Sequence, residues 1–387
     1  MANASKFLKD YGDISFTEKP FCDADNIALC QMFYTQLEKV APNGFDDEPM
    51  AFDEVCRRMY AYNGYKHKAV GLVLPKKISV FLMQMANCRR YAEMKVVACT
   101  ETFGKSPAVQ FGAVTLILPD GKKVVVFRGT DDTLIGWKED IDLYTKKGVP
   151  SHKLAVDYLN NVGKIFDGDI IVCGHSKGGN VALYGALFCD KEVRDRIQCL
   201  YNNDGPGFHN FDFVSSQQYR DMLPKYRHFV PDCSLVGMLL AHDDDYTPVK
   251  SSRLLGPLQH DLLTWQIKGD TVIPKDDLRF LAKVVDVLLL NVIFNSTEEE
   301  AKTLDEVADI IIEATGARGL LDFAKNIVSS VKGAKNAWSG IDEDTKNLMK
   351  EMFSNTPELL KEAIETVRNE AFPAVAEKVK GLAKAIV

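Results

Sequence analysis

Ser176 lies in Ile170-Ile171-Val172-Cys173-Gly174-His175-Ser176-Lys177-Gly178-Gly179-Asn180, a G-x-S-x-G pattern between an apolar β-type run and a small-residue helical pattern. A serine hydroxyl attacks a carbonyl only if a base takes its proton and donors stabilise the oxyanion that follows. A sharp strand-to-helix turn exposes the hydroxyl, and it demands glycine wherever side chains would clash. The same turn puts the serine at a helix N-terminus, where developing negative charge is stabilised. The bare pattern is weak and also suits a glycine-rich turn with Ser176 as an N-cap. The strand before it and the helix after it favour a nucleophile.

The remaining groups are sought in the order nucleophile, acid, base. One oxyanion donor is expected from the backbone amide of Lys177, the residue after the nucleophile. The second is expected from Thr130 in Arg128-Gly129-Thr130-Asp131, which follows an apolar strand and so lies at its carboxyl end. Of seven histidines, His260 comes last, in Leu258-Gln259-His260-Asp261, and is the expected general base. His175 is the variable residue of the elbow, and His67, His152, His209, His228 and His242 have weaker claims by position. Two carboxylates end candidate strands: Asp204, in Asn202-Asn203-Asp204-Gly205, is preferred as the acid that holds the imidazole, with Asp232 as the alternative. Either also suits a turn aspartate bonding its own backbone.

Apolar residues recur at helical spacing around Ile27–Val40, Met50–Tyr62 and Ile78–Met94, which predicts a helical N-terminal portion over 23–94. Val109–Leu118 and Lys123–Phe127, joined by Pro119-Asp120-Gly121, read as a β-hairpin that begins the sheet. A helix over Leu154–Phe166, a strand over Ile170–Cys173, a helix over Asn180–Phe188 and a strand over Cys199–Asn202 then alternate. Tyr226–Val230 and Leu263–Ile267 are further candidate strands. Alternation of this kind predicts an α/β protein with a mainly parallel central sheet covered on both faces.

Ser296 and Glu299 have capping-box spacing, and Thr356-Pro357 opens a last segment in which Val375, Val379, Leu382 and Ile386 share a face. The expected division is a main domain over 10–295, including the helices of 23–94, and a C-terminal helical extension over 296–387.

The chain has 387 residues, 46% hydrophobic and 26% charged, the balance of an ordinary globular protein. A net charge of −7 without a basic block argues against a nucleic-acid partner. Nine scattered cysteines without C-x-x-C or metal-ligand spacing read as thiols in a reducing compartment. No metal and no cofactor are expected. The N-terminus lacks the apolar core of a secretory signal, and Val284–Phe294 is too short to span a bilayer and reads as a buried helix, so a cytoplasmic location is expected.

At these residues the sequence resembles a family. F-R-G-T-D at 127–131, followed by Trp137 and Asp140, and then G-H-S-K-G-G-N, is similar to the lipase class 3 superfamily. N-N-D-G-P-G-F at 202–208, S-L-V-G-M-L-L at 234–240, Q-H-D-x-x-x-W at 259–265 and I-S-F-T-E-K-P-F at 14–21 resemble the Mbeg-like family of bacterial lipase-like proteins. The likeness covers roughly residues 10–270. It implies an α/β-hydrolase fold, a Ser-Asp-His triad and esterase- or lipase-like activity on a small-molecule or lipid acyl ester. Two positions depart from the broader lipase pattern: Lys177 replaces a leucine, and Ser234 occupies the approximate place of the lipase aspartate, which gives Asp204 weight.

Leu134, Ile135 and Trp137 read either as a lid or acyl-pocket wall or as core. The competing function is a non-catalytic lipase-like scaffold that uses its C-terminal helices to engage a partner or membrane surface, although an amphipathic face more often packs on its own protein.

Overall fold

A computed structural model of the chain describes residues 3–64, 75–131, 133–208, 211–234, 236–240, 246–254 and 256–280, isolated positions between 282 and 314, and residues 327–354 and 356–371. Helices come first: α1 (Ala4–Tyr11), capped by the Asn3 side chain, and α2 (Asp23–Met32), buried at every residue. A two-residue strand β1 (Met50–Ala51) leads into α3 (Phe52–Tyr62), followed by α4 (Pro75–Ala86) and α5 (Arg89–Ala92).

The sheet continues with β2 (Lys95–Lys105), β3 (Ala108–Ile117) and β4 (Lys123–Phe127). After α6 (Leu134–Thr145) and α7 (Pro150–Ile165) come β5 (Ile170–His175), α8 (Lys177–Phe188), α9 (Lys191–Arg196) and β6 (Ile197–Asn203). Short helices α10 (Phe211–Val214) and α11 (Gln217–Met222) precede β7 (Tyr226–Pro231) and β8 (Thr247–Val249). A one-turn helix α12 (Gly256–Gln259) and a separate two-stranded ladder of β9 (Ile267–Lys268) with β10 (Thr271–Val272) follow.

Strands β1 to β8 form one eight-stranded sheet in sequence order, antiparallel from β1 to β4 and parallel from β4 to β8. The central strands are buried on both faces, as a parallel sheet covered by helices must be. Alternation still assigns each residue a face. Val124, Val126, Ile171, Cys173 and Tyr201 pack toward α1–α5, while Val125, Phe127, Ile170, Val172 and Leu200 pack toward α7, α8 and α11. The chain is thus an α/β protein with a mainly parallel central sheet and a helical N-terminal portion.

The expected elements shift in several places. The sheet begins at β1 and β2, before Val109; a bulge at Ala98 (φ +50°) breaks the two-residue period that would mark β2 in the sequence, since pairing jumps from Val97 to Thr100 and Cys99 N–H bonds Pro42 O instead. The Ile27–Val40 run ends its helix at Met32 and continues as a single 3-10 turn. Leu263–Ile267 is no strand of the main sheet. Asp261 caps a 3-10 turn over Leu262–Thr264 by accepting from Leu263 N–H at 3.0 Å, and only Ile267 reaches the small ladder.

At the C-terminal end α13 (Ile327–Gly340), α14 (Glu343–Ser354) and α15 (Thr356–Ala371) are helical. A capping box forms one residue beyond the expected position: Glu300 N–H donates to Thr297 Oγ1 at 3.1 Å, and Thr297 N–H to Glu300 Oε2 at 2.7 Å. Val284 clusters with Ala363, so α15 contacts the segment preceding 295. Val375, Val379, Leu382 and Ile386 lie outside the described residues. No helix among the described residues is long and apolar enough to cross a membrane, and all nine cysteines are unpaired.

The N-terminal segment is wound around Arg90. Its fully buried guanidinium donates to Asp25 at 2.8 and 2.6 Å and to the carbonyls of Ile14, Ser15, Lys19 and Pro20, with Phe16 stacked 4.0 Å away. Removing one member of a buried, fully bonded pair strands the other. Arg90→Met is expected to lower stability by about 3–5 kcal/mol in urea denaturation; a loss below about 1 kcal/mol would show that the cluster is not a structural anchor.

Candidate active site

The turn between β5 and α8 is held by backbone contact. A β-carbon on Gly174 would stand 2.0 Å from Gly178 O, and one on Gly178 would stand 2.3 Å from Phe127 O, so neither position tolerates a side chain without moving main chain. At the apex Ser176 takes φ +58° and ψ −136°, a conformation that costs a non-glycine residue about 1–3 kcal/mol. Its amide donates to Asn203 O at 3.0 Å and its carbonyl accepts from Gly179 N–H at 2.8 Å. Ser176 is half-buried between the buried residues His175 and Lys177.

Asp204 follows the end of β6, also at positive φ (+53°), and is 1% exposed. One oxygen, Oδ1, accepts from the Ser234 hydroxyl and from Gly237 N–H at 3.1 Å. The other, Oδ2, lies 2.7 Å from His260 Nδ1. A carboxylate only accepts, so Nδ1 carries the proton and Nε2 is the basic nitrogen. His260 packs on the residue before Ser176: its ring is centred 4.5 Å from that of His175, and its carbonyl is 2.9 Å from His175 Nε2.

Asp232 sits elsewhere. It accepts from Gln259 Nε2 at 2.9 Å and faces Arg279 at 3.3 Å and Lys275 at 3.7 Å. Gln259 in turn accepts from Cys233 N–H through Oε1 and from Trp265 Nε1 through its carbonyl, at 2.9 and 2.8 Å. The Q-H-D-x-x-x-W segment therefore ties the loop bearing His260 to the end of β7. Of the two candidate acids, only Asp204 meets the imidazole.

On the other flank, Gly129 passes so close to the elbow that a β-carbon there would be 3.0 Å from Ser176 Cβ. Thr130, next in the chain, donates its hydroxyl to both oxygens of Asp140, at 2.7 and 2.8 Å. The backbone N–H of Lys177 lies in the first turn of α8, where a helix supplies no acceptor. The Lys177 side chain turns inward instead: Nζ donates to Glu139 Oε2 at 2.7 Å and to Gln110 O at 2.8 Å. Glu139 also accepts from Gln110 N–H and Ser151 N–H, so α6, α7, β3 and α8 meet at one buried ion pair.

Tyr34 lies 141 positions from its partner His175 and carries no motif. His152 is buried, stacked on Tyr184 at 4.0 Å and bonded to Asn180 Oδ1 at 2.7 Å; burial pushes it down to about 4. His67, His209 and His242 lie outside the described residues, as does the Trp137 side chain.

These features define an α/β protein with a serine at a strained strand-to-helix turn and a histidine–carboxylate pair beside it. Over residues 85–309, more than half of its length, the chain matches the family model described as Mbeg1-like, and it belongs to that lipase-like family. No curated protein matches the chain.

Asp140 offers a pH test. Burial, first, and the Glu139 charge raise its carboxyl, against Lys177, the Thr130 hydroxyl and His260, to about 6. Since the folded value exceeds the unfolded one, ionisation costs the native state. Its contribution is most favourable below the ordinary aspartate value of 3.8 and is lost as the pH rises through about 6. Asp140→Asn should remove that loss. Relative to the variant, the native chain is expected to lose about 2 kcal/mol between pH 4 and 7 in denaturant titrations; parallel curves would contradict the assignment.

Proposed function

We propose that the protein is a serine hydrolase of esterase or lipase type, acting on a small-molecule or lipid acyl ester. The observation that carries this reading is the 2.7 Å bond from His260 to Asp204 beside an elbow serine at φ +58°. His260 Nε2 takes the Ser176 proton as Oγ attacks the ester carbonyl, and Asp204 stabilises the imidazolium that results. The imidazolium then protonates the departing alcohol, leaving an acyl-serine. Water, deprotonated by the same nitrogen, cleaves it and returns the hydroxyl.

The oxyanion is assigned to the backbone N–H groups of Lys177 and Thr130. A hydroxyl has one hydrogen, and that of Thr130 is committed to Asp140, so its peptide N–H is the group left for the substrate. The helix N-terminus at Lys177 adds favourable potential at the same point. The fold and the family support a hydrolase; the triad and the acyl-enzyme are our inference. Residues 10–295 would form the catalytic unit and 296–387 a helical extension packed against it.

The test combines fluorophosphonate labelling with hydrolysis of a short- and long-chain ester panel. Ser176→Ala should abolish the adduct. Asp204→Asn should lower kcat by about 10⁴-fold, whereas Asp232→Asn should leave it within about tenfold, since it loses only a structural contact. Absence of an adduct on the native chain, or equal labelling of Ser176→Ala, would favour a non-catalytic scaffold.

A further inference from the structure

Beneath the elbow lies a pair of buried groups that the hydrolytic steps do not use. His175 ends β5 and is 1% exposed; Tyr34, 3% exposed, follows α2. Tyr34 Oη is 2.7 Å from His175 Nδ1, and His175 Nε2 is 2.9 Å from the carbonyl oxygen of His260. Each role is dictated by chemistry. A carbonyl only accepts, so Nε2 must carry the hydrogen; Nδ1 then presents a lone pair, and the phenol must donate to it. Burial holds the His175 ring well below the usual imidazole range, so it stays neutral with one N–H.

The pair also touches the third part of the site. Gly129 passes against the phenol so closely that a β-carbon there would lie 2.4 Å from Tyr34 Oη and 2.5 Å from His175 O. One phenol and one imidazole therefore abut the segment before Thr130, the residue before Ser176, and the backbone of His260. Asp204 controls the rotation of the His260 ring, but a bond to the side chain does not locate the backbone that carries it. Leu254 and Leu258 are exposed, and the bonds of Gln259 fix the loop to the end of β7, whereas the His175 bond joins the His260 backbone to the residue before Ser176.

We propose that Tyr34 and His175 are positioning residues, a clamp that holds the His260 backbone at a set distance from Ser176 and keeps the Gly129 turn in register with both. This rests on the hydrolase reading for its effect on rate, though the clamp itself is a property of the folded chain. A base displaced by about 1 Å costs about 100-fold in rate.

The full-length chain is tested in two ways. A long-range ¹H–¹⁵N imidazole spectrum of histidine-labelled protein should show His175 as the Nε2–H tautomer, with its signal perturbed in Tyr34→Phe; an Nδ1–H tautomer, or no response to that substitution, overturns the clamp whether or not the protein is an enzyme. Acylation by a fluorophosphonate is then timed. Tyr34→Phe and His175→Phe should slow it about 10- to 100-fold and lower kcat for esters with little change in KM. His175→Gln, whose amide N–H extends toward the same carbonyl, should recover most of the loss. Unchanged acylation in Tyr34→Phe and His175→Phe, or a His175→Gln variant that folds yet is as slow as His175→Phe, would overturn the positioning role. Failure of the native chain to label would instead sink the hydrolase reading and leave the tautomer to decide the clamp.

Discussion

The close crossing of main chain at Gly174, Gly178 and Phe127 is the constraint on which the remainder of the site depends. Two glycines bring the start of α8 down onto β5 and β4, and that approach forces the chain through positive φ at Ser176. Strain of this kind persists only where the surroundings over-determine it. Here they do: parallel pairing on both sides of β5 registers Phe127 with Gly174 and Gly174 with Asn202, so the turn, the Gly129 segment and Asp204 all emerge at one edge of the sheet.

A buried polar layer supports that edge from the α2 side. Asn26 and Asn203 exchange side-chain hydrogen bonds at 2.8 and 2.9 Å, and Asn203 also donates to Gly174 O at 2.9 Å. These groups are fully buried, and their mutual satisfaction is what makes them tolerable there. Helix α2 is therefore more than a cover for the sheet. It carries the amide that braces the ends of β5 and β6 and leads directly into Tyr34, so the N-terminal helices and the turn at Ser176 are built as one unit.

Much of this was legible from the residues. Strands β3 to β7 announced themselves as apolar runs, and Gly174-x-Ser176-x-Gly178 in its strand–helix context marked the turn. Separating Asp204 from Asp232 was beyond periodicity, because both end strands, and the difference lies in Ser234 and Gly237 meeting the first while Gln259 and Arg279 meet the second. Strand β2 was hidden by its bulge at Ala98, and the 3-10 turn after His260 was hidden because apolar Leu262, Leu263 and Trp265 read as a strand, although only a single bridge, Ser251 with Trp265, forms there. Tyr34 left no trace at all: its partner is distant in sequence, and a tyrosine in an apolar run reads as core.

The most direct measurement is a crystal structure of the chain after reaction with a phosphonate ester. The expected result is a phosphorus–Oγ bond at Ser176, with the phosphoryl oxygen about 3 Å from the N–H groups of both Lys177 and Thr130 and His260 still bonded to Asp204. A phosphonate attached to any other residue, or one at Ser176 whose oxygen faces away from both amides, would contradict it.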